Sequence, residues 1–589
     1  MADAGGTSGG GRVAGWGSDV VADALAALDI PYIALVPGAS FRGFHDSLVN
    51  YLGPDGPQMI VCLHEEHAVA IAEGWARVTG RPMAVALHSN VGLMHGSMPI
   101  YNAWCDRTPV LIFGATGPVD AHERRPWIDW IHTSADQGAL VRPFVKWDDQ
   151  PGSAEAAVES VLRGYQIAAT TPKGPVYICL DVGMQEASLQ REVRVPDVAR
   201  FAPGRPPAAA PDEVERAVDM LAAAHAPAVL MGRMSRDTAD WQRRVAFAEA
   251  LGAPVLTSIH RPPAFPATHP LHVLPVCGEW PSVAEADLIA GADLILSFDW
   301  LDLGGYLRGC IGTASTQKPP QARVIHVSLD HTMANGWSKD HYALPPADLA
   351  LYADPDQVVG QLAAALGVRG CSAAAPLCPD ALHNHTHWQS SVTPPASGAD
   401  HAMSLELFAH TIAGFAASRE VSFARLPIGW PGDACAFSHP LDYLGKDGGG
   451  AVGTGPGHSI GTALALKDSG RLVIGVVGDG DFLMGVNALW TAANLQVPVI
   501  FVVANNRAYF NDVRHQERMA LTRNRPVENK WIGQVLDNPR PDIVRLAEAQ
   551  GFAAEEVGTP DALIQALEAA ELRFRAGQGT VIDARVGGY

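Results

Sequence analysis

The sequence predicts an α/β protein with three doubly wound domains, each built on a parallel sheet. Three stretches of the chain alternate short apolar runs with longer helix-like segments, which is typical of parallel sheets covered by helices. Residues 192–212, rich in Pro and Ala, and residues 369–400, rich in Cys, Pro, His and Ser, interrupt the alternation. We therefore expect a disordered Gly-rich tail over 1–15, domains over 16–191, 205–368 and 401–589, and a linker over 369–400.

The individual elements follow from the positions of the apolar runs. In the first domain we expect a helix over Asp19–Leu28 and strands over Tyr32–Val36, Met59–Leu63, Met83–Leu87, Val110–Phe113 and Val176–Leu180. In the second we expect a helix over Thr238–Leu251 and strands over Ala228–Met231, Pro254–Ile259, Leu294–Phe298 and Val324–Ser328. In the third we expect a helix over Phe482–Ala493 and strands over Leu472–Val477, Pro498–Ala504 and Thr580–Arg585.

The composition is that of a globular protein. The chain has 589 residues, of which 48% are hydrophobic and 18% charged, and its formal net charge is -20. This charge argues against nucleic acid as a partner, because phosphates would be repelled. The eight cysteines form no CxxC pair, and the sequence has neither a signal-peptide core nor a run of 18 apolar residues. We expect a cytoplasmic protein with free thiols and no membrane partner.

A Gly-Asp-Gly turn followed by an Asn pair carries the densest chemical signal. The N–H groups of such a turn can bind a phosphate, which Asp479 would repel unless a divalent cation lay between them. Mg²⁺ prefers oxygen ligands. Asp479 and Asn506 follow neighbouring predicted strands and should emerge at the same sheet edge, where Ala508 can add its carbonyl.

Two other interpretations of these glycines are weaker. Gly-Asp-Gly alone is common, and two unrelated turns would explain it, but the spacing to the Asn pair is far more specific. A dinucleotide-binding turn over Gly453–Gly457 lacks a clean preceding strand, and Pro456 interrupts it.

The Gly-Asp-Gly turn and the Asn pair together resemble the thiamine-diphosphate motif of the pyruvate oxidase, acetolactate synthase and decarboxylase superfamily. The resemblance implies pyrimidine-binding, central and diphosphate-binding domains in that order, with thiamine diphosphate and Mg²⁺ as cofactors. It implies metal binding by Asp479, Asn506 and the Ala508 carbonyl. The implied cofactor contacts around this turn are Gly478, Gly480, Asp481, Asn506 and Tyr509.

The segment from His64-Glu65-Glu66-His67 to Glu73-Gly74-Trp75-Ala76-Arg77 resembles the same family's HE…A…EGYAR segment. The resemblance implies that Glu65 hydrogen-bonds the cofactor's pyrimidine ring and activates it. Taken alone, Glu65 also fits an acid at a helix N-terminus, and Glu66 and Glu73 remain alternatives. Because the family builds its site between domains of different subunits, the resemblance implies a dimer at minimum, and we expect a tetramer.

The stretch Gly449–Gly453 resembles the segment beneath the cofactor's bend in that family. The resemblance implies that the apolar side chain of Val452 supports the bend between the two cofactor rings. It also implies that the carbonyl of Gly450 accepts a hydrogen bond from the cofactor's exocyclic amine. Val452 is smaller than the residues common at this place, so a looser prop is expected.

Within the superfamily, the first and third domains best resemble benzoylformate decarboxylases. The matching segments are Leu87-His88-Ser89, Asn102-Ala103-Trp104, Val145-Lys146-Trp147, Gly174-Pro175-Val176-Tyr177 and Ala488-Leu489-Trp490-Thr491-Ala492-Ala493. The resemblance implies a catalytic role for His88, whose ordinary pKa suits proton transfer. A buried structural histidine at a strand end is the alternative.

The sequence departs from those decarboxylases around the expected substrate pocket. Ala39 takes the place of a substrate-binding serine, with Ser40 one position away, and the central domain offers no second catalytic histidine. His132 and His515 instead fall where relatives carry apolar pocket residues, although each also fits a surface loop. We expect a pocket more polar than one for a phenyl ring.

These observations lead to a decarboxylase of 2-keto acids, with an acetolactate-synthase-like carboligase as the alternative. The substrate expected is therefore a small 2-keto acid or an aldehyde. A flavin oxidase rests only on the weak nucleotide loop Met231–Met234, so FAD is not expected. A non-catalytic protein would not need Glu65. The spacing within His383–His387 fits no common zinc site and favours a solvated linker.

Overall fold

The computed structural model describes residues 12–273, 281–315, 322–330, 347–369 and 402–587. These residues form three parallel sheets, each with helices around it, which confirms the predicted fold class. The predictions for His383–His387 and for residues 1–11 of the expected tail lie outside the described residues. Within the described ranges, no helix combines the length and apolarity needed to cross a bilayer.

The first sheet has six parallel strands. They are β1 (Tyr32–Leu35), β2 (Gln58–Val61), β3 (Met83–Leu87), β4 (Val110–Thr116), β5 (Trp147–Asp149) and β6 (Val176–Asp181), in the spatial order β2-β1-β3-β4-β6-β5. The helices are α1 (Gly17–Ala27), α2 (Arg42–Asp46), α3 (Glu65–Thr79), α4 (Ser89–Cys105), α5 (Ile128–His132), α6 (Ala154–Ala169) and α7 (Val182–Glu186).

The second sheet has five parallel strands among the described residues. They are β7 (Pro227–Met231), β8 (Val255–Leu256), β9 (Leu294–Phe298), β10 (Arg323–Val327) and β11 (Leu349–Leu351), in the order β11-β10-β9-β7-β8. The helices are α8 (Pro211–Ala222), α9 (Thr238–Leu251), α10 (Val283–Gly291), α11 (Leu303–Thr313) and α12 (Pro355–Arg369).

The third sheet also has five parallel strands in the described part of the chain. They are β12 (Val421–Arg425), β13 (Leu472–Gly478), β14 (Ile500–Asn505), β15 (Ala553–Val557) and β16 (Thr580–Arg585), in the order β12-β13-β14-β16-β15. The helices are α13 (Leu405–Ala416), α14 (Gly455–Leu466), α15 (Asp479–Gly485), α16 (Ala488–Leu495), α17 (Phe510–Thr522), α18 (Ile543–Ala549) and α19 (Pro560–Arg575).

Helices α3 and α14 bring the first and third sheets together. A β-carbon on Gly74 of α3 would lie 2.2 Å from the carbonyl oxygen of His458, and one on Gly461 of α14 would lie 2.0 Å from the carbonyl oxygen of Ile71. The two helices therefore touch through their backbones, which only glycine permits. One apolar core continues across both sheets, including Val69 of α3 and Ile460 of α14.

Asp106 joins all three sheet domains. Its carboxylate accepts hydrogen bonds from Arg77 of the first domain, Arg261 of the central domain and, at 2.9 Å, the N–H of Gly448 in the third. Burial alone would raise the pKa of Asp106, but the guanidinium groups of Arg77 and Arg261 lower it below its ordinary value. An ionised Asp106 thus shares its one negative charge between two buried cations.

Two predicted elements differ most from the structure in extent. The helix predicted over Phe482–Ala493 is two helices, α15 and α16, separated by a turn at Val486 and Asn487. Gly485, the last residue of α15, packs against the backbone of Gly453, where a β-carbon would lie 2.4 Å from the carbonyl oxygen. The strand predicted over Pro254–Ile259 is reduced to β8 at the sheet edge. Beyond β8, Thr257 Oγ1 pairs with His272 Nε2 at 2.8 Å instead of continuing the sheet.

Candidate active site

The predicted metal ligands meet at the carboxyl edge of the third sheet. Strands β13 and β14 are parallel neighbours with Gly478 beside Ala504, so Asp479 and Asn506 leave the same edge. This confirms that the turn and the Asn pair lie side by side. Asn506 Oδ1 accepts the N–H of Ala508 at 3.0 Å, which closes the turn that presents the Ala508 carbonyl.

Asp479 is a buried carboxylate with one oxygen unpaired. Its Oδ1 accepts the N–H of Gly480 at 2.9 Å, whereas its buried Oδ2 has no partner among the described residues. Burial raises the pKa of Asp479 to about 6, against the lowering effect of nearby backbone N–H groups. A buried unpaired oxygen needs an explanation, and a divalent cation supplies one. The donors present therefore fit Mg²⁺.

The loop before α14 is shaped by glycine and by Asp481. Gly450 and Gly453 have φ angles of +70° and +104°, which favour glycine, and Val452 between them is 44% exposed. Asp481 accepts the N–H of Gly453 at 2.7 Å and pairs with Arg425 at 2.6 Å. Asp481 thus fixes the loop that carries the predicted ring contacts.

The ring of Tyr509 covers Gly480. A β-carbon on Gly480 would lie 2.6 Å from Tyr509 Cε1, so the aromatic ring rests directly on the turn. Gly478 has open space around its α-carbon. The turn is therefore closed on one side by Tyr509 and open at Gly478, as a diphosphate-binding turn requires.

The three candidate carboxylates on α3 face different surroundings. Glu65, the first residue of α3, is 8% exposed, and its Oε2 lies 3.1 Å from His95 Nδ1. Burial and then the nearby Asp481 raise the pKa of Glu66. Glu73 is fully buried and bonds His458 Nε2 at 2.6 Å. Of the three, Glu65 acts electrostatically on His88, where it opposes the lowering of that pKa.

His88 lies at the carboxyl end of β3 and contacts two other polar side chains. Its Nδ1 is 2.9 Å from Ser40 Oγ, which itself accepts the N–H of Ser89 at 3.1 Å. Nδ1 also accepts the backbone N–H of Ser40 at 3.4 Å, so it carries no hydrogen and the His88 proton resides on Nε2. The His132 ring stands edge-on, 4.7 Å from the His88 ring. Burial lowers the pKa of His88, and His132 adds to this effect.

The loop that carries His132 is held in place by polar contacts. The Asn90 side chain donates to the carbonyl of Ile131 at 3.1 Å, and Arg125 forms a two-pronged ion pair with the buried Asp129. His515, by contrast, is exposed on α17 of the third domain. The structure thus joins His132 to His88 within one chain and places His515 on another domain.

Ser40 and His95 were not predicted as site residues. Ser40 lies one position from the serine register of the resembling decarboxylases, but the 3-10 turn Ala39–Phe41 directs it inward to His88. His95 follows His88 by two helical turns, so the spacing places both residues on the same face of α4. That spacing was the one available signal for His95.

The central domain carries an ion cluster where open α/β sheets bind ligands, between β7 and β9. Arg107 reaches in from the first domain and bonds Asp299 at 2.7 Å. Arg233, which follows β7, bonds Asp299 at 3.0 Å and Asp330 at 2.9 Å. The charged side chains at this edge of the sheet therefore pair with one another.

Three family models match the chain. Residues 15–140 match the thiamine pyrophosphate enzyme N-terminal TPP binding domain, residues 214–362 the central domain, and residues 429–584 the C-terminal TPP binding domain.

Curated relatives include both reaction types expected from the sequence. The acetolactate synthase isozyme 3 large subunit of Escherichia coli is 24% identical, with 97% of this chain and 95% of the relative covered. The benzoylformate decarboxylase of Pseudomonas aeruginosa is 25% identical, covering 77% of this chain and 80% of the relative. A solved thiamine diphosphate-dependent 4-hydroxybenzoylformate decarboxylase from Rhodococcus jostii RHA1 has a TM-score of 0.76 at 22% identity, covering 98% of this chain and 99% of that one.

Proposed function

The chain belongs to the thiamine pyrophosphate enzyme family, and on that premise we propose that it removes carbon dioxide from a 2-keto acid without oxidising it. The observation that supports this most directly is the cluster of His88, Ser40 and His132. A decarboxylase must deliver a proton to the carbon that loses the carboxylate, and paired imidazoles suit that task.

We propose cofactor contacts at the residues whose chemistry suits either the cofactor or its metal ion. When bound, thiamine diphosphate supplies a nucleophilic carbon and accepts the electron pair that carbon dioxide leaves behind. Asp479, the Asn506 side chain and the Ala508 carbonyl would hold Mg²⁺ against the diphosphate. The unpaired oxygen of Asp479 supports this assignment. Val452 and the Gly450 carbonyl would hold the rings.

The chain's own groups then manage the protons. Glu65 would share a proton with the pyrimidine ring, and its buried position at the start of α3 keeps water away from that hydrogen bond. His88 carries its proton on Nε2, so it can donate to the substrate carboxylate and later to the product carbon. The balance is one 2-keto acid converted to one aldehyde and carbon dioxide.

A carboligase is the second candidate. The acetolactate synthase relative spans 97% of this chain, whereas the decarboxylase relative spans 77%. In a carboligase a second carbonyl compound rather than a proton would receive the electron pair. The metal ligands, the ring contacts and Glu65 proposed above would serve both reactions, whereas proton delivery to carbon by His88 would serve only the decarboxylase.

The proposed substrate has a side chain that is polar or smaller than phenyl. His132 supports this because its imidazole lies beside His88, where a phenyl ring would need apolar neighbours. His515 would contribute only if α17 approached the pocket. We also propose a cytoplasmic homodimer or homotetramer, with the site shared between subunits.

Product analysis tests the proposal. The holoenzyme with Mg²⁺ should release aldehyde and carbon dioxide from at least one of a panel of 2-keto acids, and an added aldehyde should not divert the product. A 2-hydroxyketone product would favour the carboligase. Glu65→Gln should abolish turnover, and His225→Asn, at an exposed central-domain histidine, should not change it. No turnover and no Mg²⁺-dependent cofactor uptake in calorimetry would refute both.

A further inference from the structure

We propose that His95 is a positioning residue for Glu65, which deepens the proposed function and rests on it. In this proposal, His95 Nδ1 donates a hydrogen bond to Glu65 Oε2 and fixes the rotation of the carboxylate. Oε1 is then the oxygen left for the cofactor's pyrimidine ring.

The contact is built by two separate segments of the first domain. His95 lies on α4 and Glu65 begins α3, and their Nδ1 and Oε2 atoms are 3.1 Å apart. An ionised carboxylate can only accept, so the hydrogen must be on His95 Nδ1. Hydrogen bonds to a charged acceptor are about twice as strong as neutral ones.

His64 holds the His95 ring in its place. The two imidazoles are stacked at 4.9 Å between centroids and 21° between planes. His64 is itself fixed, because its Nδ1 accepts the N–H of Glu66 at 3.1 Å as the cap of α3. His64 therefore orients His95, and His95 in turn orients Glu65.

Gly92 leaves the other carboxylate oxygen accessible. A β-carbon on Gly92 would lie 3.2 Å from Glu65 Oε1, tighter than an ordinary contact, so a larger residue would crowd that oxygen. One oxygen is thus taken by His95 and the other kept clear. Such an asymmetric carboxylate is suited to a single directed hydrogen bond.

A metal site is the competing interpretation of this cluster. The possible ligand atoms of His64, Glu65 and His95 lie within 4.8 Å of one another. However, a metal lies in the plane of each imidazole that binds it, and two stacked, nearly parallel rings have no common point nearby. Binding would require one ring to turn and break its hydrogen bond. The geometry therefore favours positioning of Glu65.

The test measures exchange of the hydrogen on the cofactor's reactive carbon with deuterium in the Mg²⁺ holoenzyme, by quenched-flow NMR without substrate. His95→Leu removes the donor and should slow exchange about 10- to 100-fold, the factor that a charge-assisted hydrogen bond carries. His95→Asn keeps an N–H donor and should stay within about threefold of wild type. Calorimetry should show cofactor affinity changed less than exchange in both, because the diphosphate is held elsewhere. His225→Asn is the matched control.

Each outcome bears on a defined claim. Wild-type exchange in His95→Leu, or an equally slow His95→Asn, would overturn the positioning role. His95→Ala serves as a second variant without a side-chain donor if the leucine protein aggregates, and the same slowing is expected. Wild-type exchange in Glu65→Gln would overturn the proposed function itself, so the two failures can be told apart.

Discussion

At the residue scale, Gly38 lies against the ring of His88. A β-carbon on Gly38 would come within 2.2 Å of His88 Cγ, although the extended backbone there, at φ -158°, suits any residue. We expect Gly38→Ala to displace the imidazole, to cost about 1–3 kcal/mol of stability, and to lower kcat at least tenfold. Urea unfolding and steady-state kinetics would measure both. Gly152→Ala, with open space around it, should change neither, and an active Gly38→Ala would contradict this account.

His67 makes stability depend on pH. Burial, and then the nearby His64, lowers the pKa of His67 to about 4, and its Nδ1 has no partner in the described part of the chain. Between pH 6.5 and 4 the unfolded chain binds a proton that the folded chain does not, so stability falls as the pH falls. From pH 7 to pH 5, wild type should lose about 2 kcal/mol more than His67→Gln in urea unfolding. His225→Gln should behave as wild type, and identical pH slopes in all three would disprove the effect.

At the element scale, the contact between α3 and α14 depends on glycine. Gly461→Ala would place a methyl group on the Ile71 carbonyl and force the helices apart. We expect a loss of about 2–3 kcal/mol in urea unfolding. Cofactor binding in calorimetry should also weaken, because α3 begins at Glu65 and α14 follows the Val452 loop.

Gly414→Ala is the matched control for that helix pair. Gly414 lies within α13 with nothing near its α-carbon, so alanine should stabilise the protein by about 0.5–1 kcal/mol. Equal effects of the two substitutions would show that helix propensity, and not the close approach, governs both.

The elements also show where sequence patterns suffice. Leu294–Phe298, Thr238–Leu251 and Thr580–Arg585 are predicted with their observed bounds, because long apolar or amphipathic runs leave one choice of structure. The edge strand β15, Ala553–Val557, was not predicted, because its two central glutamates obscure the apolar pattern. The break between α15 and α16 was not predicted either, because the apolar pattern continues through the turn at Val486 and Asn487.

The candidate site also contains contacts that could be predicted from the sequence and contacts that could not. The adjacency of Asp479 and Asn506 follows from strand order and could be predicted from the sequence. The pairing of Ser40 with His88 and of His95 with Glu65 could not, because each joins segments whose relative placement is set by packing of whole helices. The loop-anchoring role of Asp481 likewise became visible only in the structure.

At the scale of the whole molecule, Asp106 links all three domains. Asp106→Asn would leave the guanidinium groups of Arg77 and Arg261 without their shared carboxylate, at a cost of about 3–5 kcal/mol. Because the domains meet there, we expect the calorimetric melting transitions to separate. Asp55→Asn, in an exposed pair with Arg12, should cost less than about 1 kcal/mol. A single unchanged transition in Asp106→Asn would contradict the linking role.

The contact between α3 and α14 also limits how this protein can change over evolutionary time. Gly74 and Gly461 each face the backbone of the opposite helix, so neither position can gain a side chain while the other helix stays where it is. A side chain at either position would therefore require the two helices to shift together. The two glycines are therefore expected to be inherited together.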